Sequence, residues 1–280
     1  RLNYYVDRTG EGRPVVLIHS INAAASAYEM RPLFERLRGN RPVYALDLPG
    51  FGFSDRSDRE YTPELYVQSI LALLQQLNVS GGADVVALSL GSEFAALAAQ
   101  QRSDLVHSLT FISPTGFSSR SSDEEFRRQE NSARIHRAFA APLWSQPFYD
   151  LLTTRASINF FLDRLFVGPV DTNLLEYSYA TTHQPGARYA PLYFVSGALF
   201  TPDVRNRVYA QIHVPVQVIY DEDDEFVDYD ALKSFLAEHD TWQAQRVIPT
   251  RGLPQFEMPD RVMEILRTFW NQTAPVEAAH

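Results

Sequence analysis

The sequence predicts an α/β protein: a mostly parallel sheet flanked by helices and interrupted by a helical insertion. Three observations carry that expectation. Short β-branched apolar runs alternate with longer segments of helical period in residues 1–117 and again in 201–280, the pattern of a sheet buried on both faces. Residues 118–200 break the alternation with helical periods, many aromatics and no clean strand. A chain of 280 residues with 45% apolar content is long enough for one large core. The expected division is a core domain at 1–117 and 201–280 with a helical cap at 118–200.

Taken in order, "PVVLIH" (14–19) is the first buried strand, "YEMRPLFERL" (28–37) a helix and "PVYALDL" (42–48) the next strand. "TPELYVQSILALLQQL" (62–77) is a helix in which Thr62 caps and Pro63 suits the first turn. A turn and strand follow in "GGADVVALS" (81–89), then a small-residue helix (90–101) able to lie close to a sheet, then the strand "VHSLTFIS" (106–113). The insertion opens at "SSDEEF", where Ser122 and Glu125 fit a capping box. Alternation resumes with a strand at 214–220, a helix at 229–239, a strand at 245–249 and a final helix at 259–270.

Composition excludes several function classes. Acidic residues outnumber basic ones, 34 against 25, giving a net charge of −9; no Lys/Arg stripe suited to phosphates appears, so no nucleic-acid partner is expected. With no cysteine, there is no disulfide framework, thiolate metal site or cysteine nucleophile. No apolar run approaches the ~18 residues of a membrane span, and "RLNYYVDRTG" lacks the regions of a signal peptide. The expected location is cytoplasmic, although a chain beginning with Arg leaves room for a trimmed targeting segment. Neither a cofactor nor a metal site is expected, since the acidic run "YDEDDEFV" (220–227) lacks the spacing of a calcium loop.

The strongest local signal for chemistry is "VVALSLGSEF", where Ser89 lies between a strand and a helix with Ala87 and Gly91 two positions to either side. A nucleophile on so tight a turn needs flanking residues without bulk, and the helix start favours developing negative charge. "LIHS" ends the strand two units earlier, and "DLPGFGFS" supplies Asp47, Gly50, Gly52 and Ser54. With these motifs nearly the whole chain resembles the α/β-hydrolase superfamily, in its capped, serine-nucleophile form. The resemblance implies an eight-stranded type of sheet and the nucleophile Ser89. It places the oxyanion-hole amides at Ile21 and Leu90, the pocket residues at His19, Ser20 and Asn22, and the acid at Asp224, with Asp223 as the one-residue alternative. Serine in place of aspartate favours acyl transfer over dehalogenase or epoxide-hydrolase chemistry.

One part of the pattern is missing. The family ends its last strand in a Gly-His-x-Pro-like turn whose histidine is the general base. In "RVIPTRGLPQFEMPD" (246–260) only Thr250, Arg251 and Gly252 stand between Pro249 and Leu253, so either Gly252 takes the position of the missing histidine in a shifted loop or the histidine is deleted. Arg251 is no substitute, because a guanidinium does not deprotonate at working pH. His107 and His213 flank strand starts and His239 closes a helix; His136 and His183 lie in the cap. Of these, His183 in the loop "TTHQPGARY" is the better candidate for a surrogate base. Two functions fit: a serine hydrolase, esterase-like or cleaving carbon-carbon bonds, acting on a small apolar substrate under the cap with a degenerate triad; or an inactive homologue that binds a ligand or a protein. The oligomeric state is not legible.

Overall fold

A computed structural model describes residues 1–221 and 228–274. Among them, seven strands form one sheet: β1 (Asn3–Asp7), β2 (Val15–Ile18), β3 (Val43–Asp47), β4 (Ala83–Leu88), β5 (Val106–Ile112), β6 (Val216–Tyr220) and β7 (Trp242–Arg246). Their order is β1-β3-β2-β4-β5-β6-β7, and every pairing is parallel except that of β1 with β3. Seven strands thus stand where the resemblance implies eight.

Helices follow the strands: α1 (Arg31–Leu37), α2 (Pro63–Leu77), α3 (Gly91–Gln101), α4 (Ser122–Phe139), α5 (Ser145–Leu152), α6 (Arg155–Asp163), α7 (Thr172–Thr182), α8 (Tyr189–Val195), α9 (Val204–Arg207), α10 (Leu232–Glu238), α11 (Pro254–Glu257) and α12 (Pro259–Thr273). Alternate strand residues divide between two cores. Val16 and Ile18 pack with Tyr66, Ile70 and Phe94 of α2 and α3, while Val15 and Leu17 pack with Leu33 and Leu266 of α1 and α12. Burial on both faces is why these strands read as continuous apolar runs. Helices α4 to α8 fill the insertion at 118–200 without a strand, and no described helix is long and apolar enough to cross a membrane.

Several boundaries differ from expectation. The edge strand β1 is partly exposed and owes its extended form to pairing with β3 rather than to its own apolar pattern. The last strand is Trp242–Arg246, not 245–249, because pairing with β6 stops at Tyr220 and Arg246. The capping box is built by Ser121 and Glu124 instead of Ser122 and Glu125. Tertiary partners decide that one-residue choice: the Ser122 hydroxyl donates to Asp203 and Glu125 accepts from the Asp203 amide. Helix α10 starts at Leu232 rather than 229, since Tyr229 is buried with its hydroxyl on Asp221.

Candidate active site

Ser89 follows β4 directly and holds φ at +51°, a left-handed conformation that costs a non-glycine residue about 1–2 kcal/mol. Three contacts impose it. The Ser89 amide donates to Ile112 O at 2.8 Å and so extends the β4–β5 ladder, while the Ser89 carbonyl accepts from Ser92 N at 3.0 Å and starts α3. Gly91 lies against the end of β2, where an added Cβ would meet His19 O at 2.4 Å. Among the described residues nothing hydrogen-bonds the Ser89 hydroxyl, which is half-buried.

Beside the elbow lies the loop after β2. Ser20 N and Asn22 Nδ2 both donate to the buried Glu29 carboxylate at 2.9 Å, and Asn22 Nδ2 also donates to Ser20 Oγ. Asn22 Oδ1 accepts from Ala24 N at 2.7 Å. His19 is fully buried and accepts at Nε2 from Leu48 N at 2.9 Å. That leaves Nδ1 to carry the proton and donate to Ser20 O. His19, Ser20 and Asn22 therefore shape the loop. The amides of Ile21 and Leu90, both residues almost fully buried, donate to no described group. Unpaired buried amides are rare in folded proteins.

The "D-x-x-G-x-G-x-S" motif is structural in its contacts. The Asp47 carboxylate accepts from Asn3 Nδ2, Ala27 N and Phe53 N, and Gly52 rests against it so closely that a Cβ would collide at 2.0 Å. The Ser54 hydroxyl donates to Asp47 O and accepts from Asn3 N, fastening β1.

Asp224 and its alternative Asp223 lie outside the described residues. The described carboxylate at the end of β6 is Asp221, buried and accepting from Ser113 Oγ at 3.2 Å, from Tyr229 Oη at 3.1 Å and from the Gly252 amide. The turn at 250–252 is fully engaged. Thr250 Oγ1 donates to Val247 O, Arg251 N donates to Glu257, and Gly252 holds φ at +79°. A Cβ at Gly252 would stand 2.7 Å from Leu165 Cδ2, so the insertion covers the direction in which a side chain there would leave.

No described imidazole reaches Ser89. His183 is exposed, donates from Nδ1 to Tyr179 O at 2.7 Å and packs on the Tyr179 ring, at the C-terminal end of α7. His136 stacks on Tyr193 at 3.7 Å, and burial lowers its pKa. His107 and His239 bond backbone carbonyls.

Sequence reasoning missed Glu29, Arg56 and the place of Asp221 in the site. Tyr149, on α5 in the insertion, donates from its hydroxyl to Ala23 O at 3.1 Å and so ties the insertion to the loop after β2. Arg56 donates to Gly52 O and keeps a buried Nε without a described partner. Burial lowers its pKa, opposed by the Tyr149, Asp47, Tyr61 and Tyr177 groups around it. The signal for Glu29 was present in the sequence, as a lone acid amid the apolar residues of "AYEMRPL".

Known proteins resemble the chain in both sequence and fold. A 2-hydroxy-6-oxo-6-(2'-aminophenyl)hexa-2,4-dienoic acid hydrolase of Metapseudomonas resinovorans is 30% identical over 108 residues, covering 38% of this chain and 37% of that protein. A haloalkane dehalogenase of Agrobacterium fabrum is 33% identical over 108 residues, covering 38% and 34%. The chain thus spans little over a third of the length of these curated relatives. Among solved structures, a serine hydrolase involved in carbazole degradation superimposes with a TM-score of 0.75 at 19% identity, over 96% of this chain and 94% of that one. A thermophilic esterase from Thermogutta terrifontis gives 0.72 at 18%, over 97% and 93%. Both share the fold. The sequence pattern of the alpha/beta hydrolase family matches residues 15–265, and by that match the chain belongs to the alpha/beta hydrolase family.

Proposed function

We propose that the chain is a serine hydrolase acting on a small apolar ester or ketone held under the helical insertion, which serves as its cap. Ser89 is the nucleophile, the Ile21 and Leu90 amides receive the oxyanion, and the triad lacks its usual histidine. One observation carries this reading above the others: the strained backbone of Ser89, with a free hydroxyl, at the end of β4. Such strain persists only where the surroundings over-determine it, and it concentrates at functional positions. The amides of the buried residues Ile21 and Leu90, without partners among the described residues, add support, since donors of this kind stabilise the charge that develops on a carbonyl under attack. With no imidazole among the described residues to take the Ser89 proton, turnover falls by roughly 10⁶ against an intact triad, while oxyanion stabilisation and binding retain about 10³ over water.

The test is labelling with a fluorophosphonate probe, in which the serine oxygen attacks phosphorus and fluoride departs, together with turnover of p-nitrophenyl esters. Slow labelling and weak turnover are expected, both abolished in Ser89→Ala. A second reading, a ligand- or protein-binding homologue without catalysis, draws support from the Gly252 amide seated on Asp221 where a base would meet its acid. Absence of any Ser89-dependent labelling would sink the hydrolase reading in favour of this one.

A further inference from the structure

Strand β2 ends at Ile18, and its ladders to β3 and β4 end with it. The loop beyond carries the Ile21 amide, so side chains must hold that amide in place. Glu29 does so from both sides of Ile21: one oxygen of its carboxylate accepts from Ser20 N and the other from Asn22 Nδ2, each at 2.9 Å. Asn22 Nδ2 also donates to Ser20 Oγ at 2.9 Å, which closes a ring of contacts around Ile21.

Glu29 is itself fixed. It lies in the turn Ala27–Met30, where its amide donates to Ser26 O at 3.0 Å. Its carbonyl accepts from Nε2 of the fully buried Gln255, on α11, at 3.1 Å. The residue is only 7% exposed, and no described cation pairs with its carboxylate. Burying an acid without a counter-ion is costly, and an apolar side chain would fill the same space without that cost. The acid is explained by its acceptors. A carboxylate offers two acceptor oxygens and no donor, which matches two N–H groups flanking one residue, and its hydrogen bonds are stronger than neutral ones.

We propose that Glu29 is a positioning residue for the Ser89 reaction: its carboxylate brackets Ile21 and holds the Ile21 amide where the oxyanion forms. This rests on the hydrolase reading above. Glu29 acts through the loop rather than on the substrate. Oxyanion donors meet charge that develops only in the transition state, so a displaced amide slows the chemical step and leaves ground-state binding alone.

Glu29→Gln is the test, because the amide keeps one acceptor oxygen and turns an NH₂ toward the other donor. With the fluorophosphonate probe, the maximal labelling rate falls about ten- to a hundredfold, while the probe concentration giving half that rate is unchanged. Hydrogen exchange of the Ile21 amide, followed by NMR, speeds up about tenfold relative to sheet amides such as Val16 and Leu46, because the loop opens locally. Thr62→Ala, which weakens the cap of α2, changes neither the maximal rate nor the relative exchange. If Glu29→Gln fails to fold, Asn22→Ala removes the same strap from its other end and gives the same pattern. Absence of Ser89-dependent labelling in the wild type overturns the hydrolase reading and this proposal together. Where the wild type labels, this proposal alone is overturned by an unchanged maximal rate in the variant, by an equal loss in Thr62→Ala, or by Ile21 exchange that rises no more than that of the sheet.

Discussion

Two residues with left-handed backbone, Ser89 and Gly252, meet that conformation in opposite ways. Ser89 carries its strain as a serine, whereas Gly252 avoids strain by having no Cβ. A histidine placed at 252 therefore does not rebuild the triad. It pays for φ near +79° and drives its Cβ into Leu165. The expected loss for Gly252→His is about 2–4 kcal/mol in urea unfolding, from strain and overpacking together, with no gain in ester turnover. Gly252→His/Leu165→Ala removes the collision and recovers part of the stability. A single variant as stable as the wild type would show that the turn shifts to accept the ring. The tight turn at Ser89 was legible because small residues around a serine between strand and helix have a steric cause. Asp221 was not, because in "YDEDDEFV" five acids compete and only the fold shows which carboxylate meets Ser113, Tyr229 and Gly252.

At the scale of elements, the junction of β2, β4 and α3 sets the distance between the two unpaired amides. Gly91 is the contact that lets α3 start close to β2. Gly91→Ala puts a methyl against the His19 carbonyl and pushes the helix start away. A loss of about 1–3 kcal/mol is expected, together with reduced fluorophosphonate labelling. Thr62→Ala provides the contrast. Thr62 caps α2 by accepting from Leu65 N at 3.2 Å, so its loss costs about 1 kcal/mol and leaves labelling of the folded protein unchanged. Equal labelling in both variants would show that the α3 contact does not govern the site. These central elements were legible because burial on both faces makes their strands continuous apolar runs, and α2 began where Thr62 and Pro63 announce it. The edges were not. β1 and β7 are defined by their neighbours' hydrogen bonds, and two equivalent Ser-x-x-Glu patterns were separated only by the partner at Asp203.

Across the whole molecule, Glu93 joins α3 to both ends of the helical segment between β5 and β6. Its carboxylate accepts from Thr115 Oγ1 at 2.5 Å, just before the chain leaves the core, and from Thr201 N at 2.8 Å, just after it returns. Burial pushes this carboxyl up to about 7 from its usual 4.5, against the lowering effect of those hydrogen bonds. The folded protein therefore holds this proton more tightly than the unfolded chain does. Between pH 4.5 and about 7 it binds more protons than the unfolded chain, so this group's contribution to stability falls as pH rises. At about 1.4 kcal/mol per pH unit, the loss across that window is roughly 3 kcal/mol. Glu93→Gln cannot ionise and removes this slope, so its stability relative to wild type increases from pH 4.5 to pH 8. Exposed carboxylates whose pKa is lowered, such as Asp104 and Glu176, slope the other way in both proteins and cancel in the difference. Urea unfolding of the two proteins across that range decides between the alternatives: a constant difference between them would mean that Glu93 ionises alike in the folded and unfolded states, and that the link between α3 and the insertion carries no charge-dependent strain.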